Sequence, residues 1–138
     1  MSWRFSYFRK DNQYFPLVDI TLKKTGKEIT VKALVDSGAS FSVFRPEIAE
    51  YLGIIIEKGK PVYLTGIGGR ILGYLHKTPL WLDRSRIIAK IIFSREFNVS
   101  FNILGRDNFF LPFIISFLEK QKLLIIENNK LSRVKGRH

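Results

Sequence analysis

The sequence predicts an all-β domain, a barrel or a sandwich, that also carries one or two short helices. Strand signals dominate, because short runs rich in Val, Ile, Leu and Phe recur along the chain between clusters of Gly, Asp, Ser and Lys. Helix signals are few and short. The chain has 138 residues, within the size of a single domain, and it contains no internal repeat.

The first predicted hairpin leads to an aspartate. Residues 15–23 place Val18, Ile20 and Leu22 on one face, and the turn residues Thr25-Gly26-Lys27 follow. Residues 29–35 return as the second strand, and Asp36 comes directly after it. We therefore expect this hairpin to deliver Asp36 to the edge of the fold.

A helix and a glycine-rich hairpin follow the aspartate loop. Pro46 suits a first helical position and Gly53 suits a helix end, so a short helix is predicted between them. Two strands, 62–64 and 71–75, flank the tip Gly66-Ile67-Gly68-Gly69. The remaining predicted strands are Pro79 to Leu82, Ile87 to Phe93, Phe101 to Leu104, Phe113 to Leu118 and Leu123 to Ile126. Asp107 is predicted to cap a short helix that runs through Phe110.

Composition limits the chemistry. Cys is absent and His occurs only at positions 76 and 138, so we expect no disulfide, metal site or cofactor.

No run approaches the roughly 20 apolar residues of a membrane span, and the first residues lack a secretory signal, so we expect a soluble cytoplasmic protein. The net charge of +11 can attract nucleic acid, but the basic residues are scattered along the sequence, which makes a nucleic-acid-binding barrel the third-ranked hypothesis.

Asp36 is the residue that most suggests chemistry. An acid at the end of a buried strand is costly unless it is hydrogen-bonded or functional. Gly38 lets the backbone approach closely or take a positive φ, and Ser37 offers a hydroxyl to a neighbouring group. Asp, Ser and Gly are also ordinary turn residues, so this triplet alone indicates only a turn after a strand.

Three motifs in order resemble the retropepsins, the single-domain aspartic proteases of retroviruses and their cellular relatives. The first, Ala33-Leu34-Val35-Asp36-Ser37-Gly38-Ala39-Ser40, matches the active-site segment of that family, with Ser37 in place of the commoner Thr. The second, Leu64-Thr65-Gly66-Ile67-Gly68-Gly69, stands where the family has a glycine-rich flap. The third, Asn102-Ile103-Leu104-Gly105-Arg106-Asp107, matches the family's apolar pair, Gly and Arg before a short helix. Three motifs in this order are far more specific than any one of them.

The resemblance implies a closed β-barrel of the acid-protease type that is active as a two-fold homodimer. Aspartic proteolysis uses two carboxylates that share one proton, because like charges so close cannot both ionise. One carboxylate activates a water as general base, and the protonated one polarises the scissile carbonyl. The chain has one Asp-Ser-Gly and is too short for two lobes, so the second Asp36 would come from another copy across the two-fold axis.

The same resemblance implies roles for the other motif residues. Asp36, Ser37 and Gly38 form the catalytic triplet, and the Ser37 hydroxyl reaches across the dimer to the facing loop. An extended, mostly apolar polypeptide substrate lies under the flap as an added strand. The implied substrate-binding residues are Ala39, Ser40, Thr65, Gly66, Ile67, Gly68 and Gly69, and the implied dimer-supporting residues are Ile103, Leu104, Gly105, Arg106 and Asp107.

The sequence departs from the family at Arg106 and at the chain ends. Retroviral members pair the equivalent arginine with an acid just after the catalytic triplet, and Ser40 stands there instead. We expect Arg106 to use another acid or a backbone carbonyl. We predict a retropepsin-like domain over residues 1–127 and a basic, poorly ordered tail over residues 128–138.

The leading functional hypothesis is an aspartic endopeptidase. The alternative is a catalytically silent retropepsin-like dimer that binds peptide or serves a larger assembly. The aromatic start, Trp3 to Phe15, and the basic tail are each open to three interpretations: the segment builds the dimer interface, it occludes the cleft, or it has neither role.

Overall fold

The computed structural model describes residues 1–66 and 69–129, and its architecture is mostly β. In that part of the chain the strands form a seven-stranded sheet, a three-stranded sheet and a two-stranded ribbon. The strands are β1 (Ser2–Ser6), β2 (Phe8–Lys10), β3 (Gln13–Phe15), β4 (Leu17–Lys24), β5 (Lys27–Val35), β6 (Ser42–Phe44), β7 (Lys60–Gly66), β8 (Gly69–Leu82), β9 (Ser85–Phe93), β10 (Asn102–Leu104), β11 (Phe113–Leu118) and β12 (Leu123–Asn128). The helical segments are α1 (Pro46–Leu52), a 3-10 turn (Ile56–Lys58) and an irregular π-type turn (Arg106–Phe110).

The seven-stranded sheet has the order β4-β5-β10-β6-β9-β8-β7. Its first strand also pairs with β8, through Thr21↔Trp81 and Leu22↔Leu80, so the sheet curls back onto its own beginning. The short strand β10 lies parallel to β5 and antiparallel to β6. This position puts the end of β10 beside the end of β5, where the chain continues into Asp36.

Alternating side chains fill the core, as the period-2 pattern predicts. Val18, Ile20 and Leu22 are at most 1% exposed, which confirms the predicted inner face of β4. A second, smaller cluster forms around Val43 and Ile92, and the hairpin β7–β8 packs against it. The protein therefore has one main core and one apolar cluster under the glycine-rich hairpin.

Helix α1 confirms the predicted start and end signals. It begins at Pro46, and Gly53 follows it with φ 75°, the left-handed conformation that glycine adopts without a Cβ penalty. The amide of Gly53 donates to the carbonyl of Glu50. The apolar side chains Ile48, Ala49 and Leu52 are buried.

The structure corrects two predicted elements. Pro79 to Leu82 is not a separate strand, because β8 runs unbroken from Gly69 to Leu82. Its first part pairs with β7 and its second part pairs with β9 and β4, so partners are present along its whole length. The prediction that Asp107 caps a helix through Phe110 is also wrong, because no side chain caps this segment and both Asp107 and Asn108 have non-helical backbone angles.

The aromatic start forms strands that the sequence analysis did not predict. Strand β1 pairs antiparallel with β12, which also pairs with β11 in the predicted closing hairpin. The buried Tyr7 follows β1: its amide donates to the carbonyl of Lys122 at 2.8 Å and its hydroxyl donates to Glu119 at 2.7 Å. These contacts attach the start of the chain to the turn before β12.

The pKa of Tyr7 is raised from 10.0 to about 12 by burial and, secondarily, by the carboxylate of Glu119. Because the folded-state pKa is the higher one, the contribution to stability is complete below pH 10 and is lost as the pH rises toward 12. A spectrophotometric titration of the folded protein should show one of the five tyrosines ionising late. Tyr7→Phe should remove that late phenol, whereas Glu119→Gln should shift it only part of the way down. Ionisation of all tyrosines near pH 10 would contradict this account.

The described part of the chain ends just after β12. This strand reaches Asn128, one residue beyond the predicted domain end, and Asn129 donates its amide to the carbonyl of Pro112. The rest of the predicted tail, residues 130–138, lies outside the described residues. Over residues 1–66 and 69–129, no helix has the length and apolar character that crossing a bilayer requires.

Candidate active site

Asp36 is the first residue of a tight loop that follows β5. Its amide donates to the carbonyl of Leu104 at 3.0 Å, which fixes the start of the loop against β10. Its side-chain Oδ1 accepts the amide of Gly38 at 2.9 Å, and its carbonyl accepts the amide of Ala39 at 3.2 Å. The carboxylate is partly buried and held by this turn, while its second oxygen makes no hydrogen bond or ion pair within the described residues.

The segment after β10 braces the loop from behind. The amide of Arg106 donates to the carbonyl of Ala39, and the amide of Asp107 donates to the carbonyl of Ser40, both at 2.9 Å. The amide of Gly105 donates to the hydroxyl of the buried Ser42 at 3.0 Å. The third sequence motif therefore holds the first motif in place within the chain.

Gly105 is required by the closeness of two backbones. A Cβ atom at this position would lie against the carbonyl of Phe41 and 2.8 Å from its nitrogen. Real Cβ atoms essentially never approach backbone atoms so closely. Gly38 has a milder need, since a Cβ there would lie 3.3 Å from Oδ1 of Asp36. Gly38 does not have a positive φ. The close approach to Asp36, rather than a left-handed conformation, therefore explains why glycine suits this position.

An open groove of about 330 Å³ runs beside the loop. Its lining residues are Gly38, Ala39, Ser40, Phe41, Val43, Tyr63, Leu64 and Thr65. The groove thus brings the first motif together with the first residues of the second motif. Apolar side chains supply much of the lining, and the loop contributes exposed backbone at Gly38.

The second motif forms the predicted hairpin of β7 and β8. The two strands pair from Lys60↔Leu75 to Gly66↔Gly69, and Gly69 has φ 113°. Thr65 lines the groove, whereas Gly66 and Gly69 are exposed and do not. The predicted contacts of Ile67 and Gly68 lie outside the described residues.

Arg106 has no side-chain partner in the described part of the chain. It is exposed, and only its backbone amide makes a hydrogen bond. The carboxylate of Asp107 lies 3.9 Å from the ammonium of Lys90, and it does not contact Arg106. The expected intrachain acid or carbonyl for the guanidinium is therefore absent among residues 1–66 and 69–129.

Several groove residues were missed by sequence reasoning. Tyr63 is 60% exposed, and the guanidinium of Arg70 lies 4.3 Å from its ring centroid. Phe41 and Val43 enter the groove from the start of β6. The position of Tyr63, an aromatic residue shortly before the glycine-rich tip, was a signal that it could contact a ligand. Phe41 could be placed in the groove only after the path of the loop was known.

The described residues contain no group of three or more His, Asp and Glu side chains that could hold a metal ion. The loop itself offers a carboxylate, a hydroxyl and backbone groups. Asp36 supplies the carboxylate and Ser37, which is exposed, supplies the hydroxyl.

A comparison with known families agrees with this geometry. The family model described as aspartyl protease matches residues 18–82, which include the loop of Asp36 and both strands of the glycine-rich hairpin. No curated protein matches the chain at a significant level. Over residues 18–82, this chain is similar to the retropepsin-like aspartyl protease family.

Proposed function

We propose that the chain is one subunit of a homodimeric aspartic endopeptidase whose active site joins the Asp36 carboxylates of two copies. The observation that carries this proposal is the carboxylate of Asp36 itself. One oxygen is fixed by the amide of Gly38 and the other has no partner in the described residues. An open groove borders the same loop from Gly38 onward. A carboxylate held in one orientation, in a loop that borders a groove, suits a general base that acts on a water.

The need for a second copy follows from the chemistry. Two carboxylates must share one proton, and the loop supplies only one. Ser37, Gly38 and Ser40 are exposed, and the Ser37 hydroxyl makes no hydrogen bond within the described residues. This surface is thus available for a facing loop, and a two-fold axis beside it would bring each Asp36 to its mate. Each copy would then contribute one closed barrel, and the cleft would lie between the two barrels.

The proposed substrate is an extended polypeptide with apolar side chains. Strand β7 is the last strand of its sheet, so one of its edges has no partner strand in the described chain. An extended peptide can add to such an edge through main-chain hydrogen bonds, while side-chain pockets give specificity. The groove beside it offers Phe41, Val43 and Leu64 to those side chains.

The test is a digestion of a diverse peptide mixture at mildly acidic pH, with the products identified by mass spectrometry. We expect new cleavages by the wild-type protein, mostly between apolar residues, and none by Asp36→Ala. A statine-type inhibitor, which mimics the tetrahedral intermediate, should block the wild-type cleavages. Cleavage by both proteins would show that another group, or a contaminant, performs the hydrolysis.

The same experiment separates the endopeptidase from a silent peptide-binding module. A protein that is dimeric by sedimentation but cleaves nothing would overturn the catalytic proposal. Peptide binding by that dimer, measured by calorimetry, would then favour the binding module.

A further inference from the structure

The fold gathers lysines that are far apart in the sequence into one groove. The turn between β4 and β5, the loop after α1 and the middle of β8 line three adjoining concavities, and Lys24 contributes to all three. We call this surface the lysine groove, and its basic residues are Lys23, Lys24, Lys27, Lys58 and Lys77. His76 lies between them, with its Nε2 at 2.8 Å from the carbonyl oxygen of Ile56.

The positive charge of the lysine groove is poorly compensated. Lys24, Lys58 and Lys77 are exposed and form no ion pair with any described residue. Glu28 is the acid that lines the groove, and it lies 3.5 Å from Lys23. A concave surface with one sign of charge concentrates counter-ions of the other sign. The groove is therefore built to attract an anion with several charges.

The lysine groove is separate from the candidate active site. Lys24 and Lys27 close the turn at one end of the β4–β5 hairpin, and Asp36 follows the other end of β5. At about 3.3 Å per residue, a strand from residue 27 to residue 35 spans about 26 Å. Substitutions in the groove can thus be made without touching the loop of Asp36.

We infer that the lysine groove binds the phosphodiester backbone of a single-stranded nucleic acid. Lysine is a point charge that binds phosphate without a fixed geometry, whereas arginine is preferred for two-point recognition of carboxylates. Among residues 1–66 and 69–129, no arginine lines the groove. Tyr51 beside the groove is 50% exposed, and the ammonium of Lys27 lies 5.5 Å from its ring. An exposed ring beside a lysine-lined groove is the combination that single-strand binding uses, with charge for the backbone and stacking for the bases.

The test measures binding of a labelled 20-nucleotide oligothymidylate to the full chain by fluorescence anisotropy at several salt concentrations. The groove variant combines Lys24→Gln, Lys58→Gln and Lys77→Gln. With a salt slope of about −0.7 per phosphate contact, the loss of three contacts should make the slope shallower by about 2 and weaken binding on the order of 100-fold at 0.1 M salt. The matched control, Arg4→Gln with Arg84→Gln and Lys120→Gln, removes the same charge from exposed residues outside the groove and should keep the wild-type slope.

Four outcomes would overturn the inference. Binding could be absent even at low salt, or the control variant could lose as much affinity as the groove variant. Neutralising the basic residues of the C-terminal segment, Lys130, Arg133, Lys135 and Arg137, could abolish binding that the groove variant retains. Finally, polyglutamate could bind the groove more tightly than the oligonucleotide, which would assign it to acidic polypeptides. None of these measurements depends on cleavage, so their failure leaves the proposed protease function untouched.

Discussion

Replacing Asp36 by Asn is expected to lower kcat/KM for peptide cleavage by at least about 10²–10⁴-fold, the usual contribution of general acid–base groups. The homodimer would lose both carboxylates at once, so neither a base for water nor a shared proton would remain. The fold should survive, because the amide oxygen of Asn can still accept the Gly38 amide that Oδ1 now accepts at 2.9 Å. The measurement is the steady-state rate on a peptide that the wild-type protein cleaves.

Asp19→Asn is the matched control for this prediction. Asp19 is exposed on β4 and forms a surface ion pair with Lys32 at 3.0 Å, a type of contact that is worth little. The control therefore removes the same charge without touching the loop and should cleave like the wild type. Cleavage by Asp36→Asn within tenfold of the wild-type rate would refute the catalytic role of Asp36.

Gly105→Ala is expected to lower both stability and cleavage. The added Cβ would meet the backbone of Phe41, which cannot move aside as a flexible side chain can. Overpacking of this kind typically costs about 1–3 kcal/mol of the free energy of unfolding. The contact also lies where the Arg106 and Asp107 amides bind the carbonyls of Ala39 and Ser40, so the loop of Asp36 should shift. Chemical denaturation and peptide cleavage measure the two effects.

Gly66→Ala provides the contrast for Gly105→Ala. A Cβ at Gly66 would meet no atom within 4 Å, and this glycine does not have a positive φ. The free energy of unfolding of the Gly66→Ala variant should therefore stay close to that of the wild type. Equal destabilisation by the two substitutions would show that the close approach of Gly105 to Phe41 is not what makes that position sensitive.

Local signals predicted the parts of the fold that local chemistry determines. The alternation of Val18, Ile20 and Leu22 predicted the inner face of β4, and Pro46 with Gly53 predicted the limits of α1. Residues 71–75 and Pro79 to Leu82 were predicted as separate strands, but pairing with different neighbours on its two halves keeps β8 continuous. The continuity of β8 therefore depended on two hairpin partners, β7 and β9, that pair with different parts of one strand.

The aromatic start contains a strand pattern from which no strand was predicted. Trp3, Phe5 and Tyr7 alternate with exposed residues, which is the pattern of a half-buried strand. The partner of this strand, β12, lies at the other end of the described chain, so the pairing itself could not be inferred from neighbouring residues. The alternation alone would have predicted β1 but not its place in the sheet.

The candidate site also has one part that the sequence predicts and another part that only the fold reveals. The motif around Asp36 was visible in the sequence, and the structure adds that the segment around Gly105 contacts and supports it within the same chain. Phe41 and Tyr63 line the groove because the loop and β7 meet in space, which no local pattern encodes. The basic residues that look scattered along the sequence are likewise brought together only by the fold, at Lys24, Lys58 and Lys77.

The central claim is that two copies of Asp36 form one active site, and mixing subunits tests it most directly. Wild-type protein and Asp36→Asn are combined at increasing ratios, allowed to exchange subunits, and assayed at a constant wild-type concentration. Because only dimers of two wild-type subunits carry two carboxylates, the activity per wild-type subunit should fall in proportion to the wild-type fraction. Activity per wild-type subunit that stays constant while mixed dimers form would contradict the account, since each Asp36 would then act alone.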